Sequence, residues 1–455
     1  MKKVLKKLLP KKIKNFYHLF YAWYGSFKYD NPSEELLVIG VTGTTGKSST
    51  IHFLRQMLES QGYKVGSLST VDFYIAGVEK LNDQKMTMLG KMKIQEYLRE
   101  MVKAECDIAI VEITSEGYLQ HRHKFINYDM MILTGLYPEH IESHGGFENY
   151  KAAKLGIFEY VLKGKKIPTG HPSSGKNERD KVAIVNANNK YCKEFLGFDF
   201  DKKIVFGSED EKIFCKKTPI THNKIFASNI KATVDGLNFT IGQREFNPKL
   251  FGEYNVMNIL AGISVLRALD VSWSEIETAV NKIESAPGRL EFIREAEEKG
   301  FQVIVDYAFE PVALKALYGV VDIIKPLRQA QGKQKRVIHV CGSAGGGRDK
   351  GRRKPIGKFI GEKSDIFIVT DEDPYDEDPM EIIKQVSVGA QEVGKVLNKD
   401  LFEVLDRELA IKMAIKMANS GDLILITGKG SEQAMCVAGG KMVDWDDREV
   451  VREFL

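Results

Sequence analysis

Cysteine is scarce in this chain: five in 455 residues, at positions 106, 192, 215, 341 and 436, with no Cys-x-x-Cys pair. Such a set forms no disulfide framework and no thiolate zinc ribbon, and it reads as reduced thiols in a cytoplasmic protein. Proline (13) and tryptophan (3) are sparse too, and no solenoid-type repeat appears. No apolar run approaches the roughly 20 residues of a spanning helix, and none leads into a small-residue cleavage site. Charge is nearly balanced, 66 basic against 62 acidic side chains for a net +4, so nothing in bulk calls for a nucleic-acid partner. The pair His140 and His144 sits in His-Ile-Glu-Ser-His rather than His-Glu-x-x-His, and no Pro-Cys-x-x-Cys follows. Neither a zinc hydrolase nor a deaminase site is expected.

What is present is an ordinary globular composition, 43% apolar and 28% charged, long enough for two or three domains. The most informative run is Val38-Ile39-Gly40-Val41-Thr42-Gly43-Thr44-Thr45-Gly46-Lys47-Ser48-Ser49-Thr50. An apolar strand feeds a glycine-bearing loop, and Lys47-Ser48 open the helix that follows. Backbone N–H groups across Gly43, Thr44, Thr45, Gly46, Lys47, Ser48 and Ser49 would point at phosphate oxygens. The lysine would reach the terminal phosphates, and the Ser48 hydroxyl can sit on Mg²⁺. Val41 stands where the strict pattern wants glycine, so the match is to the shorter Gly-x-x-Gly-Lys-Ser form. A bound nucleoside triphosphate is expected.

The charge is uneven. Residues 1–30 hold eight lysines and one acid, Asp30, interleaved with Phe16, Tyr17, Phe20, Tyr21, Trp23, Tyr24 and Phe27. We treat 1–35 as a basic, aromatic, helical segment. It suits either peripheral contact with an anionic membrane, at the inner face in a cytoplasmic protein, or packing on the nucleotide domain. From residue 36 the chain alternates apolar strands and helices, with expected helices at 47–61, 91–104, 147–163 and 254–284. Residues 203–247 read as an antiparallel addition, and GHPSSGKNERDK and PLRQAQGKQKR as polar surface loops. After Pro287-Gly288 the rhythm restarts with VIVDYA, VIHVCG, IFIVTD and LILITG. The expected class is α/β: a P-loop central domain with a mostly parallel sheet over 36–290, then a second Rossmann-like α/β domain over 291–455.

Glu112 ends the strand DIAIVEIT, where a carboxylate can hold Mg²⁺ opposite Ser48, and His140 follows another strand end. The order of motifs resembles the Mur ligase family, in the branch that adds the third residue of the peptidoglycan stem peptide. The resemblance runs from about residue 36 to the C-terminus and rests on GTTGKSS, EITSEGYLQHR, EHIESHGGFENYKAAK, EYNVMN, APGRLE, VDYAFEP, GGGRDKGRR, EDPYDEDP, GKGSE and WDDREVVRE. It implies an ATP-dependent ligase: Lys47 and its loop on the ATP phosphates, Ser48 and Glu112 on Mg²⁺, and His140 on a second Mg²⁺. Lys154 matches a carbamylated lysine, an anion able to serve among metal ions. Asn258, Arg289 and Asp306 match nucleotide contacts, with Asn255 as support. Thr114, Gln120 and Arg122 match contacts to a UDP-muramoyl-peptide, and Arg348, Gly428 and Glu432 match contacts to the incoming amino acid.

Four departures bear on the substrate. The family's N-terminal UDP-gripping domain has no counterpart in 1–35. A lipid-linked precursor, a folate or a poly-γ-glutamate therefore becomes an alternative acceptor, and a non-catalytic nucleotide-binding scaffold an alternative role. The family's Asp-Asn-Pro-Arg is Glu372-Asp373-Pro374-Tyr375 here, and tyrosine cannot pair bidentately with the distal carboxylate of diaminopimelate. Acidic Glu372 and Asp373 suit a cationic side chain such as that of lysine. Finally, Gly-Lys-Gly-His-Glu is GKGSE, and Phe309 stands in place of a histidine.

Overall fold

A computed structural model of the chain describes residues 11–82, 86–138, 144–168, 178–215, 223–233, 236–329, 336–346 and 350–455. The chain forms two compact units. The first runs to Glu284 without 232–236, and the second comprises those five residues and Ser285–Leu455.

The first unit is built on eleven strands: β1 (Leu37–Thr42), β2 (Val65–Leu68), β3 (Asp72–Ile75), β4 (Val78–Leu81), β5 (Ile108–Glu112), β6 (Met130–Leu133), β7 (Val182–Asn186), β8 (Lys202–Ser208), β9 (Lys224–Thr233), β10 (Gly236–Ile241) and β11 (Arg244–Phe246). They lie in the order β11-β10-β9-β8-β7-β6-β1-β5-β2-β3-β4. Pairing is parallel from β2 through β5, β1, β6, β7 and β8 to β9. The strands β1, β5 and β6 are near-continuous apolar runs because both sheet faces are covered. β1 lies between β5 and β6, and the order reverses there, so its carboxyl end opens the crevice where ligands of open sheets bind.

The helices of this unit are α1 (Lys11–Lys28), α2 (Lys47–Glu59), α3 (Lys91–Lys103), α4 (Ser115–Leu119), α5 (Phe147–Leu162), α6 (Cys192–Leu196), α7 (Tyr254–Ala268) and α8 (Trp273–Val280). α7 is apolar all round and buried along nearly its whole length, as an internal helix must be. α1 packs on α3 rather than forming a body of its own.

The second unit has a six-stranded sheet from β12 (Glu291–Phe292), β13 (Gln302–Asp306), β14 (Val337–Cys341), β15 (Ile366–Thr370), β16 (Leu401–Val404) and β17 (Leu423–Thr427), in the order β12-β13-β17-β14-β15-β16. Only β12 runs antiparallel. A hairpin of β18 (Ala434–Val437) and β19 (Lys441–Asp444) stands apart. Helices α9 (Glu295–Glu298), α10 (Pro311–Gln329), α11 (Arg353–Lys363), α12 (Pro379–Gln391), α13 (Arg407–Met417) and α14 (Asp447–Phe454) complete it. Fully buried Arg407 donates to both carboxylate oxygens of Asp447, at 2.7 and 2.8 Å, and to the carbonyls of Asp371 and Thr427.

Four expectations change. The helix expected over 254–284 is two helices: Asp270 turns left-handed at φ 61°, and Ser272 with Glu275 forms a capping box that starts α8. β9 joins β8 in parallel rather than antiparallel, because the connection after Ser208 is long enough to cross over; the antiparallel addition is β10 with β11. The polar run after Pro326 is helical as far as Gln329, where α10 ends. Of GHPSSGKNERDK, Arg179 and Lys181 are not solvated loop: both pair with buried Asp129, at 3.4 and 3.6 Å. The rest of that stretch through Lys176 and Asn177, like the turn at Val234-Asp235, lies outside the described residues.

α11 and α12 cross backbone to backbone. A side-chain carbon at Gly357 would fall on the carbonyl of Val386, and one at Gly389 on the carbonyl of Lys354. Gly319 in α10 has open space around it. Gly357→Leu is expected to lower stability by about 3 kcal/mol through overpacking, whereas Gly319→Ala raises it by about 0.5–1 kcal/mol. Urea unfolding of both variants checks the pair.

Candidate active site

The loop after β1 sets the first cluster. Gly46, at φ 79°, caps α2 in a conformation costly for any other residue, and a Cβ there would collide with Asn258 Oδ1. Asn258 is held in turn: its Nδ2 donates to Asn255 Oδ1 (3.0 Å), its Oδ1 accepts from Thr50 Oγ1 (3.3 Å), and Asn255 Nδ2 donates to the Phe251 carbonyl (2.8 Å). The loop's other side rests on the β6 end. Thr44 N donates to the Gly135 carbonyl, Thr134 Oγ1 donates to the Thr45 carbonyl at 2.6 Å, and Thr45 Oγ1 meets Tyr137 OH at 2.9 Å.

Glu112 ends β5 fully buried, and three donors converge on its Oε2: Ser48 Oγ (3.1 Å), Thr70 N (2.7 Å) and Thr70 Oγ1 (3.0 Å). Its Oε1 faces Lys47 Nζ at 4.0 Å, and Lys47 also donates to the Thr44 carbonyl (3.0 Å). A buried carboxylate and a hydroxyl at the start of a helix are hard oxygen donors of the kind Mg²⁺ takes when phosphates complete its shell. The residues present therefore fit the ion. No group of three His, Cys, Asp or Glu side chains converges for a metal among the described residues.

Lys154 lies on α5, 1% exposed, with Nζ donating to the Gly43 carbonyl (2.9 Å) and Thr42 Oγ1 (3.3 Å), 4.9 Å from the Tyr150 ring centre. Tyr150 OH reaches Thr44 Oγ1 at 3.1 Å, so α5 supports the loop from beneath. His140 falls outside the described residues. Nearby His144 takes Ser115 Oγ at 3.0 Å.

Thr114, Gln120 and Arg122 flank α4. Thr114 caps it, accepting from Gly117 N. Arg122 donates through Nε and Nη2 to Gln120 Oε1 (3.1 and 2.7 Å) and through Nη1 to the Met88 carbonyl. Burial lowers the pKa of this guanidinium.

The second unit gathers its residues around the GKGSE loop. Asp306 ends β13 and accepts from Leu290 N (2.6 Å) and Ala308 N (2.8 Å); burial pushes its pKa up, against the pull of Arg289. Arg289 stacks 4.3 Å over the Tyr307 ring. The backbone at Gly430 lies against Gly288 and Tyr307 with no room for a side chain. Lys429, buried in the loop, donates to Asp373 Oδ1 (3.1 Å), Glu432 Oε2 (2.6 Å) and the Ala434 carbonyl (2.7 Å). Glu432 Oε1 accepts from Tyr307 OH, and Asp373 Oδ1 also accepts from Cys436 N. Lys429 thus pairs with both carboxylates read from the sequence as amino-acid contacts and offsets one of their two charges. Its signal was its place inside GKGSE. Glu372 is buried against Gly428, its Oε2 has no partner among the described residues, and burial raises its pKa to about 7. Tyr375, at φ 53°, packs its ring on Gly346. Arg348 lies outside the described residues.

A profile of the Mur ligase middle domain matches residues 41–266, and one of the Mur ligase glutamate ligase domain matches 288–430. A UDP-N-acetylmuramyl-tripeptide synthetase of Roseiflexus sp. (strain RS-1) is 32% identical over 433 residues, which is 94% of this chain and 80% of that protein. A UDP-N-acetylmuramoyl-L-alanyl-D-glutamate--2,6-diaminopimelate ligase 1 of Clostridium acetobutylicum is 31% identical, covering 95% of this chain and 80% of that one. Among solved structures, a folylpolyglutamate synthase of Mycobacterium tuberculosis complexed with ADP and AMPPCP superposes with a TM-score of 0.64 at 16% identity, over 91% of this chain and 93% of that one. At that identity the likeness establishes the fold.

Because its raised pKa makes folded Glu372 hold a proton that the unfolded chain has lost, the residue's contribution to stability is full below pH 4.5 and is lost as pH rises to about 7. Measured by urea unfolding across that window, Glu372→Gln is expected to remove this slope. The variant should gain on the order of 3 kcal/mol on the wild type by pH 8. A constant difference between the two proteins at every pH would show that the carboxyl titrates normally.

Proposed function

The chain belongs to the Mur ligase family of ATP-dependent amide-forming ligases, and from that premise we propose that it joins an amino acid to the carboxylate of a UDP-muramoyl-peptide-like acceptor in peptidoglycan precursor synthesis. The observation that carries this reading is the convergence of Ser48, Lys47 and Thr70 on Glu112 beside the phosphate loop. Such a cluster supplies charge where a phosphoryl group transfers, and the reaction needs no protein nucleophile.

A carboxylate is a poor acyl donor. The acceptor carboxylate would attack the γ-phosphorus of ATP, the bond to the bridging oxygen would break, and ADP would leave. The amino group would then attack the acyl phosphate at carbon, and the tetrahedral adduct would collapse, losing inorganic phosphate and a proton from nitrogen. Lys47, tethered at the Thr44 carbonyl, would follow the terminal phosphates through both steps, and the loop amides fix the chain of phosphates. Ser48 and Glu112 would hold Mg²⁺, which when bound offsets the charge of the transferring group. His140 and a carbamylated Lys154 would serve a second ion. Asn258, Arg289 and Asp306 would contact the nucleotide. Thr114, Gln120 and Arg122 would contact the muramoyl-peptide.

For the amino acid we read lysine. Tyr375 offers no cation for a distal carboxylate, Lys429 already pairs with Asp373 and Glu432, and Glu372 keeps a buried oxygen without a partner among the described residues. Gly428, Glu432 and Arg348 would hold the backbone ammonium and carboxylate.

Phosphate release from ATP and Mg²⁺, measured over an amino-acid panel with UDP-muramoyl-dipeptide, should require both the acceptor and lysine. Release without any amino acid would defeat the ligase reading, and release with diaminopimelate alone would defeat the choice of lysine. Lys154→Ala is expected to lower turnover by about 10²–10³-fold and to recover part of it with a short carboxylic acid. Full activity without rescue would remove Lys154 from the reaction.

A further inference from the structure

A helix on a globular protein normally turns its large apolar side chains inward; α1 does the opposite. At about 100° per residue, Ala22, Gly25 and Ser26 face the protein and are buried, whereas Phe16, Phe20, Trp23 and Phe27 face away. Phe16 is 71% exposed and Phe27 68%. The outward rings pack on one another along the helix, Trp23 on Phe27 at 5.8 Å and Phe20 on Tyr24 at 6.2 Å, both stacked. The inward side is fastened by other means. Gly25 lies against Met92 of α3, Lys91 Nζ meets His18 Nδ1 at 2.5 Å, and Arg99 holds the Tyr29 carbonyl at 2.8 Å. The attachment uses small and polar groups, so the aromatic face is left over after folding is complete. A contiguous face of this kind marks an interaction site.

We propose that the outward face of α1 docks on an anionic lipid bilayer, with the helix lying in the interface rather than crossing it. Charge selects this occupant. The first thirty residues carry eight lysines against one acid, and α1 itself contains no Asp or Glu. Polybasic segments next to an apolar face bind anionic headgroups, and Trp and Tyr settle at the headgroup level with the ring in the apolar layer and the polar atom in water. No described helix is long and apolar enough to cross a membrane.

The test is co-sedimentation of the full chain with phosphatidylcholine vesicles, with and without phosphatidylglycerol. The expected result is pelleting with the anionic vesicles, weakened by salt and reduced at least about tenfold on neutral ones. A Phe20→Ser/Trp23→Ser/Phe27→Ser variant should lose that partition while its melting temperature and phosphate release stay those of the wild type. Equal partition of variant and wild type would overturn the proposal. So would an absence of vesicle binding, whether or not sedimentation shows self-association that the triple variant abolishes, in which case the face belongs to a second copy.

Discussion

A carboxylate buried at a strand end is tolerated only when its lone pairs are met, and Glu112 organises the first unit through that requirement. Ser48 fixes the start of α2, Thr70 fixes the turn between β2 and β3, and Lys47 supplies the opposing charge. Removing any one of these partners would strand part of a buried anion, so the three segments hold one another in position. Lys154 does the corresponding work from the other side, tying α5 to the carbonyl of Gly43. The loop is therefore shaped by bonds from the protein's own groups, and support of that kind lowers the cost of ordering it on binding.

The second unit solves a similar problem with the signs exchanged. One buried ammonium, Lys429, serves Asp373 and Glu432 together, which leaves the cluster one negative charge in excess before Glu372 is counted. Glu372 avoids adding a full second charge by holding its proton up to about pH 7. A cation entering there would favour the ionised form, so the carboxyl would release its proton as the cation binds.

The alternating apolar strands and the Gly-Lys-Ser loop made the α/β class legible, since parallel strands covered on both faces leave unbroken Val, Ile and Leu runs. Elements whose cause is local and small escaped. The β3–β4 hairpin turns on Ala76 and Gly77, both at positive φ, and only four residues flank it on each side. The hairpin of β18 and β19 is equally short. Lys47, Ser48 and Glu112 can be named from a motif and a strand end, but Thr70 cannot, because nothing in Ser-Thr-Val-Asp announces a donor for a carboxylate forty-two residues away. Nothing in the sequence marks Lys429, a lysine between two glycines, as buried. Glu432 is its neighbour in the motif, but Asp373, fifty-six residues away, is brought to it by the fold.

An eleven-stranded sheet still has two open edges, and each would template the addition of another chain if it were long and apolar. At one end β11 has three residues, two of them Arg244 and Glu245, exposed to water. At the other, β4 carries Glu79 and Lys80 in a strand of four. Short, charged margins of this kind disfavour edge-to-edge pairing, so the breadth of the sheet is set within one chain rather than by its neighbours in solution.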